Sequence, residues 1–357
     1  MNPIWINQIG AVLRLEIRKS FFARRGLWIY LLAALPLLMW GGHSISTQYR
    51  RERMKNTVSQ GATREKLLSI RNGMTREQVM DVLPNPSRRS SSTTRNGVRR
   101  EWLTYGDGTL QINAQLQDGV VNRVDTEQGI CDVTEDTVVF AGIFQFFYMR
   151  LAIFFGCMFV FMNLFRGEML DRSLHYYFLA PMRRDVLVIG KYLAGLVATV
   201  LIFGISTLAQ WTVVLLHFSP QARAEYIDHG GAYYHLFSYL GVTALACLGY
   251  GSVFLAAGIV SRNPLVTAAG VLLWESINGI LPAALRKISV IYYLKSLCPV
   301  EIPMQQGVPP PLAMLALNVD GATPVVAIVG LLALSAVVVF IATQRIKRME
   351  INYTTDS

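Results

Sequence analysis

GLWIYLLAALPLLMWGGHSI, residues 26–45, carries no charged side chain. It is as long as a helix must be to cross a bilayer core, roughly 20 residues. Further stretches of the same character lie at about 137–165, 192–217, 236–260, 264–285 and 323–343. Each reads as a helix, because an unpaired backbone N–H or C=O in lipid costs several kcal/mol. The composition of the 357-residue chain agrees: 52% hydrophobic, only 16% charged and a mean hydropathy of +0.37. A soluble domain carries about 25% charged residues. These values exclude a disordered chain and a disulfide scaffold and argue against an ordinary cytosolic enzyme. The expected fold class is an all-α polytopic membrane protein with six transmembrane helices.

On the N-terminal side, residues 1–25 contain Arg14, Arg18, Lys19, Arg24 and Arg25. Within 3–22, Trp5, Ile9, Val12, Leu13, Ile17 and Phe21 recur at spacings of three and four, so a basic amphipathic helix lying in the membrane interface is expected. This n-region is too long for a signal peptide and no clear small-x-small site follows the apolar run, which makes 26–45 an uncleaved anchor. Basic residues also crowd the loop 166–191 and follow the last stretch as Arg345, Lys347 and Arg348, whereas the alternate short loops balance to zero. The net charge of +10 therefore reads as topology rather than as nucleic-acid binding, and the positive-inside rule places both termini in the cytoplasm.

On the other side, residues 46–136 break the apolar pattern with charges of both signs. Residues 62–71 suggest a helix. Thr75 and Gln78 have the spacing of a capping box, opening a second helix that Pro84 and Pro86 end. The polar run 87–98 reads as a loop. Strands are expected at about 100–105, 109–116 and 120–124, joined at Gly106-Asp107-Gly108 and Asp118-Gly119. The insert is thus a small α+β extracytoplasmic domain: helix, helix, three-stranded antiparallel sheet. Its arginine clusters (Arg50, Arg51, Arg53; Arg88, Arg89; Arg99, Arg100) either attract anionic headgroups or form a solvated face balanced by nearby acids. Gly73-Met74-Thr75, the stretch Val79–Pro86 and Trp102-x-x-Tyr105 resemble the outer-membrane lipoproteins that assist barrel assembly (the BamE/SmpA family). The resemblance implies the α+β fold and no activity.

The segment 165–185, FRGEMLDRSLHYYFLAPMRRD, joins two apolar stretches directly. Leu170, Leu174 and Phe178 are four apart and share a helical face; Glu168 and Arg172 have the spacing of a helical ion pair. Glu168, Ser173, Leu174, Pro181, Arg183, Arg184, Gly190 and Lys191 resemble the second-to-third-span loop of permease subunits of type-2 ABC exporters. The layout over 1–45 and 137–350 is similar too, apart from the insert. The resemblance implies that 166–190 is a coupling loop seated in a groove of a separate ATPase, with Glu168, Asp171, Arg172, Leu174, Phe178, Pro181, Arg183 and Arg184 as its contact residues. It further implies two ATPase copies, a second permease subunit (homodimer or heterodimer), contact with membrane lipid and residence in the bacterial inner membrane. No P-loop appears: the Gly190-Lys191 pair is followed by Tyr192. ATP and magnesium would therefore sit in the partner, and this chain binds no cofactor and is no enzyme. The rival reading is a non-transporting inner-membrane scaffold acting through the insert on a periplasmic partner.

Two ionisable residues, Arg150 and Glu275, fall inside apolar stretches, where each costs at least ~2.5 kcal/mol alone. Both are expected to face protein or water, as a pair or with Arg150 near the outer interface. Asn163 and Asn278 add polar groups that line a path or bond between helices. Residues 286–322 read as short interfacial or re-entrant helices. The cysteines and histidines show no metal-ligand spacing, so no metal site and no catalytic set are indicated, and the five histidines read as interfacial. Cys131 and Cys298 share the outer side in this topology and are candidates for a disulfide.

Overall fold

The computed structural model describes residues 3–22, 27–93, 99–128, 133–170, 179, 183–261, 263–302 and 322–348. The chain divides into two compact units. The first comprises Met1–Trp40, Thr137–Leu216 and Pro220–Ser357, the second Gly41–Asp136 with His217–Ser219.

The first unit is helical. Helix α1 (Pro3–Phe22) covers the amphipathic stretch expected from its periodicity. Helix α2 (Leu27–Lys55) begins with the first apolar run and continues past it to Lys55, its residues from Gly41 on belonging to the second unit. After the inserted segment come α5 (Val133–Gly142), a π-helical stretch (Ile143–Ile153) and α6 (Phe154–Leu170). Then follow α7 (Arg184–His217), α8 (Pro220–Asp228), α9 (Ala232–Val260), α10 (Pro264–Ser276), α11 (Ala283–Arg286), α12 (Val290–Ser296) and α13 (Pro324–Lys347). Among the described residues, five helical runs are long and apolar enough to cross a membrane: Leu27–Lys55, Val133–Met169, Arg184–His217, Ala232–Val260 and Pro324–Lys347.

The stretch 264–285 departs from expectation. Helix α10 ends at Ser276 and passes into a tight turn, Ile277–Ile280, before α11. At 1.5 Å per residue its 13 residues rise about 20 Å, short of a bilayer core of about 30 Å. Pro282 sets the limit of the run: a proline ring bars the preceding residue from helical geometry, and Leu281 is extended, so helical backbone does not continue past Ile280.

Helix α9 is the centre of the unit, packed against α6 and α13. Its glycines let neighbours approach: a methyl group at Gly258 would lie 2.9 Å from the Met162 backbone. The phenyl ring of Phe161 occupies the space a side chain at Gly251 would need. Helix α13, in contrast, leaves Val325, Val329, Val337, Phe340 and Ile341 exposed. An outward face this apolar is unfavourable in water.

The second unit contains α3 (Arg64–Ser69), α4 (Arg76–Val82) and an antiparallel meander of β1 (Arg88–Thr93), β2 (Arg99–Gly106), β3 (Leu110–Gln117) and β4 (Val120–Gln128). Leu103, Tyr105, Leu110, Ile112, Ala114 and Leu116 alternate inward onto Leu67, Ile70, Val79 and Leu83 of the helical side. The capping box forms: the Gln78 amide donates to Thr75 Oγ1, and the Thr75 amide to Gln78 Oε1. Asp118 and Gly119 adopt positive φ and make the two-residue turn between β3 and β4.

The sheet has four strands, not three. Arg88–Thr93, expected as loop, pairs with β2 from Thr104 to Arg99. All six of its side chains are exposed, so it shows no alternation for sequence analysis to detect. Part of the arginine surplus is balanced here, since Arg89 and Arg76 both pair with the buried Glu101, at 2.6 and 3.3 Å.

The Asp107 turn gives a pH prediction. Burial opposes ionisation of Asp107, but hydrogen bonds from Leu110 N, Thr109 Oγ1 and Thr109 N outweigh it and hold the carboxyl below its usual range. The ionised group thus stabilises the turn at neutral pH, and the contribution is lost as pH falls through the lowered value. Protection of the Leu110 amide, relative to its intrinsic exchange rate at each pH, should therefore fall in acid, and Asp107→Asn should remove that dependence.

Candidate functional site: a junction of helix ends

The expected coupling loop enters from α6 and leaves into α7. Of its contact residues, Asp171, Arg172, Leu174, Phe178 and Pro181 lie outside the described residues. What can be followed is how its two ends are held.

Lys191, in the second turn of α7, is fully buried. An ammonium has three donors, and here each has an acceptor: Glu16 Oε1 at 2.7 Å, Glu168 Oε1 at 2.8 Å and the Leu164 carbonyl at 2.9 Å. Lys191 thereby joins three helices, since Glu16 lies on α1 and Glu168 and Leu164 on α6. The Phe165 ring lies 5.4 Å from the same ammonium. Burying an ammonium is unfavourable unless it is paired and hydrogen-bonded, so this geometry accounts for a lysine with no solvent contact.

At the preceding residue of α7, Val12 of α1 packs directly on Gly190, leaving only 3.1 Å for any added methyl group. The first residues of α7 reach in another direction. Arg184 donates to the Ile346 and Lys347 carbonyls at the end of α13, the favoured place for a cation on a helix C-terminus. Asp185 accepts from Arg183 at 2.7 Å and pairs with Lys347 at 3.5 Å. Beside these residues a groove of about 520 Å³ opens, lined by Ile189, Tyr192, Leu248, Val339 and Phe340. The start of α7 is thus tied to α1, α6 and α13 together.

Glu275 and Arg150 have separate roles in direct bonding. Glu275 is buried at the end of α10 and caps α12: Ser289 Oγ donates to it at 2.7 Å, Val290 N at 3.0 Å and Ile291 N at 2.8 Å. A carboxylate at a helix N-terminus satisfies its free N–H groups and opposes the dipole favourably. Arg150, half-buried in the π-helical stretch, acts on Glu275 and Tyr250 electrostatically. Asn278 donates to the Arg286 carbonyl at 3.2 Å and closes the turn between α10 and α11, while the exposed Asn163 bonds back to Phe159 of its own helix. Cys298 carries a free thiol directed at the Leu294 carbonyl, and its candidate partner Cys131 lies outside the described residues. Residues 303–321 of the outer segment also lie outside them.

Set against family models, curated proteins and solved structures, the chain matches none. The reading of the junction therefore rests on its own geometry.

The sequence pattern points to Glu168 and Lys191 but not to their third partner. A signal for Glu16 existed: it is the only acidic residue of α1 and shares a helical face with Val12, one turn earlier. The histidines also hold more than interfacial positions. His43 and His217, distant in sequence, converge on Asp136 at 3.2 and 3.4 Å.

Proposed function

We propose that this chain is the permease subunit of an ATP-driven exporter of the type-2 ABC kind. It moves its substrate outward by alternating access, with a separate ATPase supplying the energy. The observation that carries this reading is the buried Glu16–Lys191–Glu168 junction. Both ends of segment 171–182 are fastened to long apolar helices, so a push on that segment moves α6 and α7 without slack. A transport subunit lacking its own P-loop needs such a transmission. Leu179, within the segment, is 80% exposed, an apolar side chain suited to a protein groove.

On this reading the membrane is crossed six times, with the fifth pass begun by α10 and completed by the turns leading to α12. Parity supports the count: basic residues flank α1 and the end of α13 alike, and five crossings would put them on opposite sides. The apolar outward face of α13 meets lipid or a second permease. The active assembly is two permeases with two ATPases, ATP and magnesium being held by the latter, in the inner membrane with the insert outside.

The test is affinity isolation of the full-length chain from native membranes. An ATPase with a P-loop should accompany it. Leu174→Glu with Phe178→Glu should abolish that association while leaving membrane insertion intact. Association unchanged in the double variant, or an envelope-assembly partner in place of any ATPase, would contradict the proposal.

A further inference from the structure

The geometry points to a divalent transition-metal site, of the zinc class, formed by His43, Asp136 and His217. All three belong to the second unit. His43 is on α2, Asp136 lies in the first turn of α5 and His217 is the last residue of α7. The ligand atoms lie within 4.8 Å of one another. Asp136 Oδ1 stands 3.2 Å from His43 Nε2, and Oδ2 stands 3.4 Å from His217 Nε2.

Three features favour a cation over a simple hydrogen-bonded cluster. First, charge-assisted N–H···O bonds settle at about 2.7–2.9 Å, and both separations are longer. They match the spacing of two ligands on one tetrahedral ion: with zinc about 2.0–2.1 Å from each donor, neighbouring ligands lie about 3.3 Å apart. Second, the Asp136 side chain is nine-tenths buried, yet its Oδ2 makes no hydrogen bond among the described residues. The two carboxylate oxygens each face one imidazole, Oδ1 that of His43 and Oδ2 that of His217, and an ion among the three side chains would complete the buried Oδ2. Third, the outer support of one ligand is in place. Ser44 Oγ lies 2.9 Å from His217 Nδ1. With Nδ1–H donating to that oxygen, the tautomer is fixed and Nε2 presents its lone pair to the ion, the usual arrangement around a metal-bound histidine.

Two neutral imidazoles and one carboxylate suit zinc, and three protein ligands leave a fourth position for water or an exogenous donor. The inference stands apart from the transport reading, because it rests on other residues and another property.

The test uses the full-length, tag-free protein in detergent, stripped with a chelator and then given Zn2+ alone. One equivalent should survive desalting and raise the melting temperature. Co2+ in its place should give the intense visible absorption of a four-coordinate nitrogen–oxygen site. Asp136→Asn, which preserves size, should drop retained metal to background, as should His43→Ala and His217→Ala. Ser44→Ala should weaken binding about 10- to 100-fold. Absence of bound zinc, or retention unchanged in the three ligand variants, would overturn the assignment. Should those variants fail to fold, the wild-type Co2+ spectrum decides: a thiolate-to-cobalt band would assign the metal to cysteine and overturn it equally.

Discussion

Lys191→Met should destabilise the protein by about 3–5 kcal/mol, the usual cost of removing one partner from a buried ion pair. Methionine nearly matches the lysine in length, so the loss is electrostatic. Glu16 and Glu168 would face one another in a dry site without their shared cation. Either carboxylate would then have to take up a proton or drag its helix toward water. Glu16→Gln or Glu168→Gln alone should cost less, because Lys191 keeps the other acid. Replacing all three residues by apolar side chains of similar volume should recover much of the loss. The effects are thus strongly non-additive, as they are for residues sharing one network. Thermal melting in detergent measures each variant, and a Lys191→Met protein melting with the wild type would show that the triad does not hold the junction.

A second large effect is expected at Glu275. Glu275→Leu leaves the Ser289 hydroxyl and the Val290 and Ile291 amides buried without their acceptor. Each costs about 1–3 kcal/mol, so the total should rival that at Lys191. Glu275→Gln keeps an acceptor oxygen but loses the charge facing the start of α12, and should cost a fraction as much. Amide exchange at Val290 and Ile291 reports the change directly. Protection unchanged in Glu275→Leu would mean that the carboxylate is not what caps that helix.

These residues also show how far the sequence could be read. Apolar runs were legible because some 20 consecutive apolar residues favour one long helix, and five helices long and apolar enough to cross a membrane appear among the described residues. Along 264–285 the apolar count hides Pro282, ahead of which helical geometry ends, and Glu275, whose carboxylate caps α12. The capping box at Thr75 was legible because both partners sit within one turn. Strand β1 was not, since an edge strand exposed on both faces has no pattern. Local chemistry pointed to Glu168 and Lys191, but Glu16 meets Lys191 across 175 residues. Likewise His43 meets Asp136 across 93, a pairing that no spacing rule announces.

The central claim is that the segment between α6 and α7 faces the cytoplasm, where an ATPase can grip it. Side-specific labelling of Ser173→Cys with a membrane-impermeant maleimide tests this most directly, with Ser92→Cys on exposed β1 as the opposite-side reference. The account predicts that Ser173→Cys reacts only when the cytoplasmic face is open to the reagent, and Ser92→Cys only from the other face. Labelling of both from the same face would contradict it.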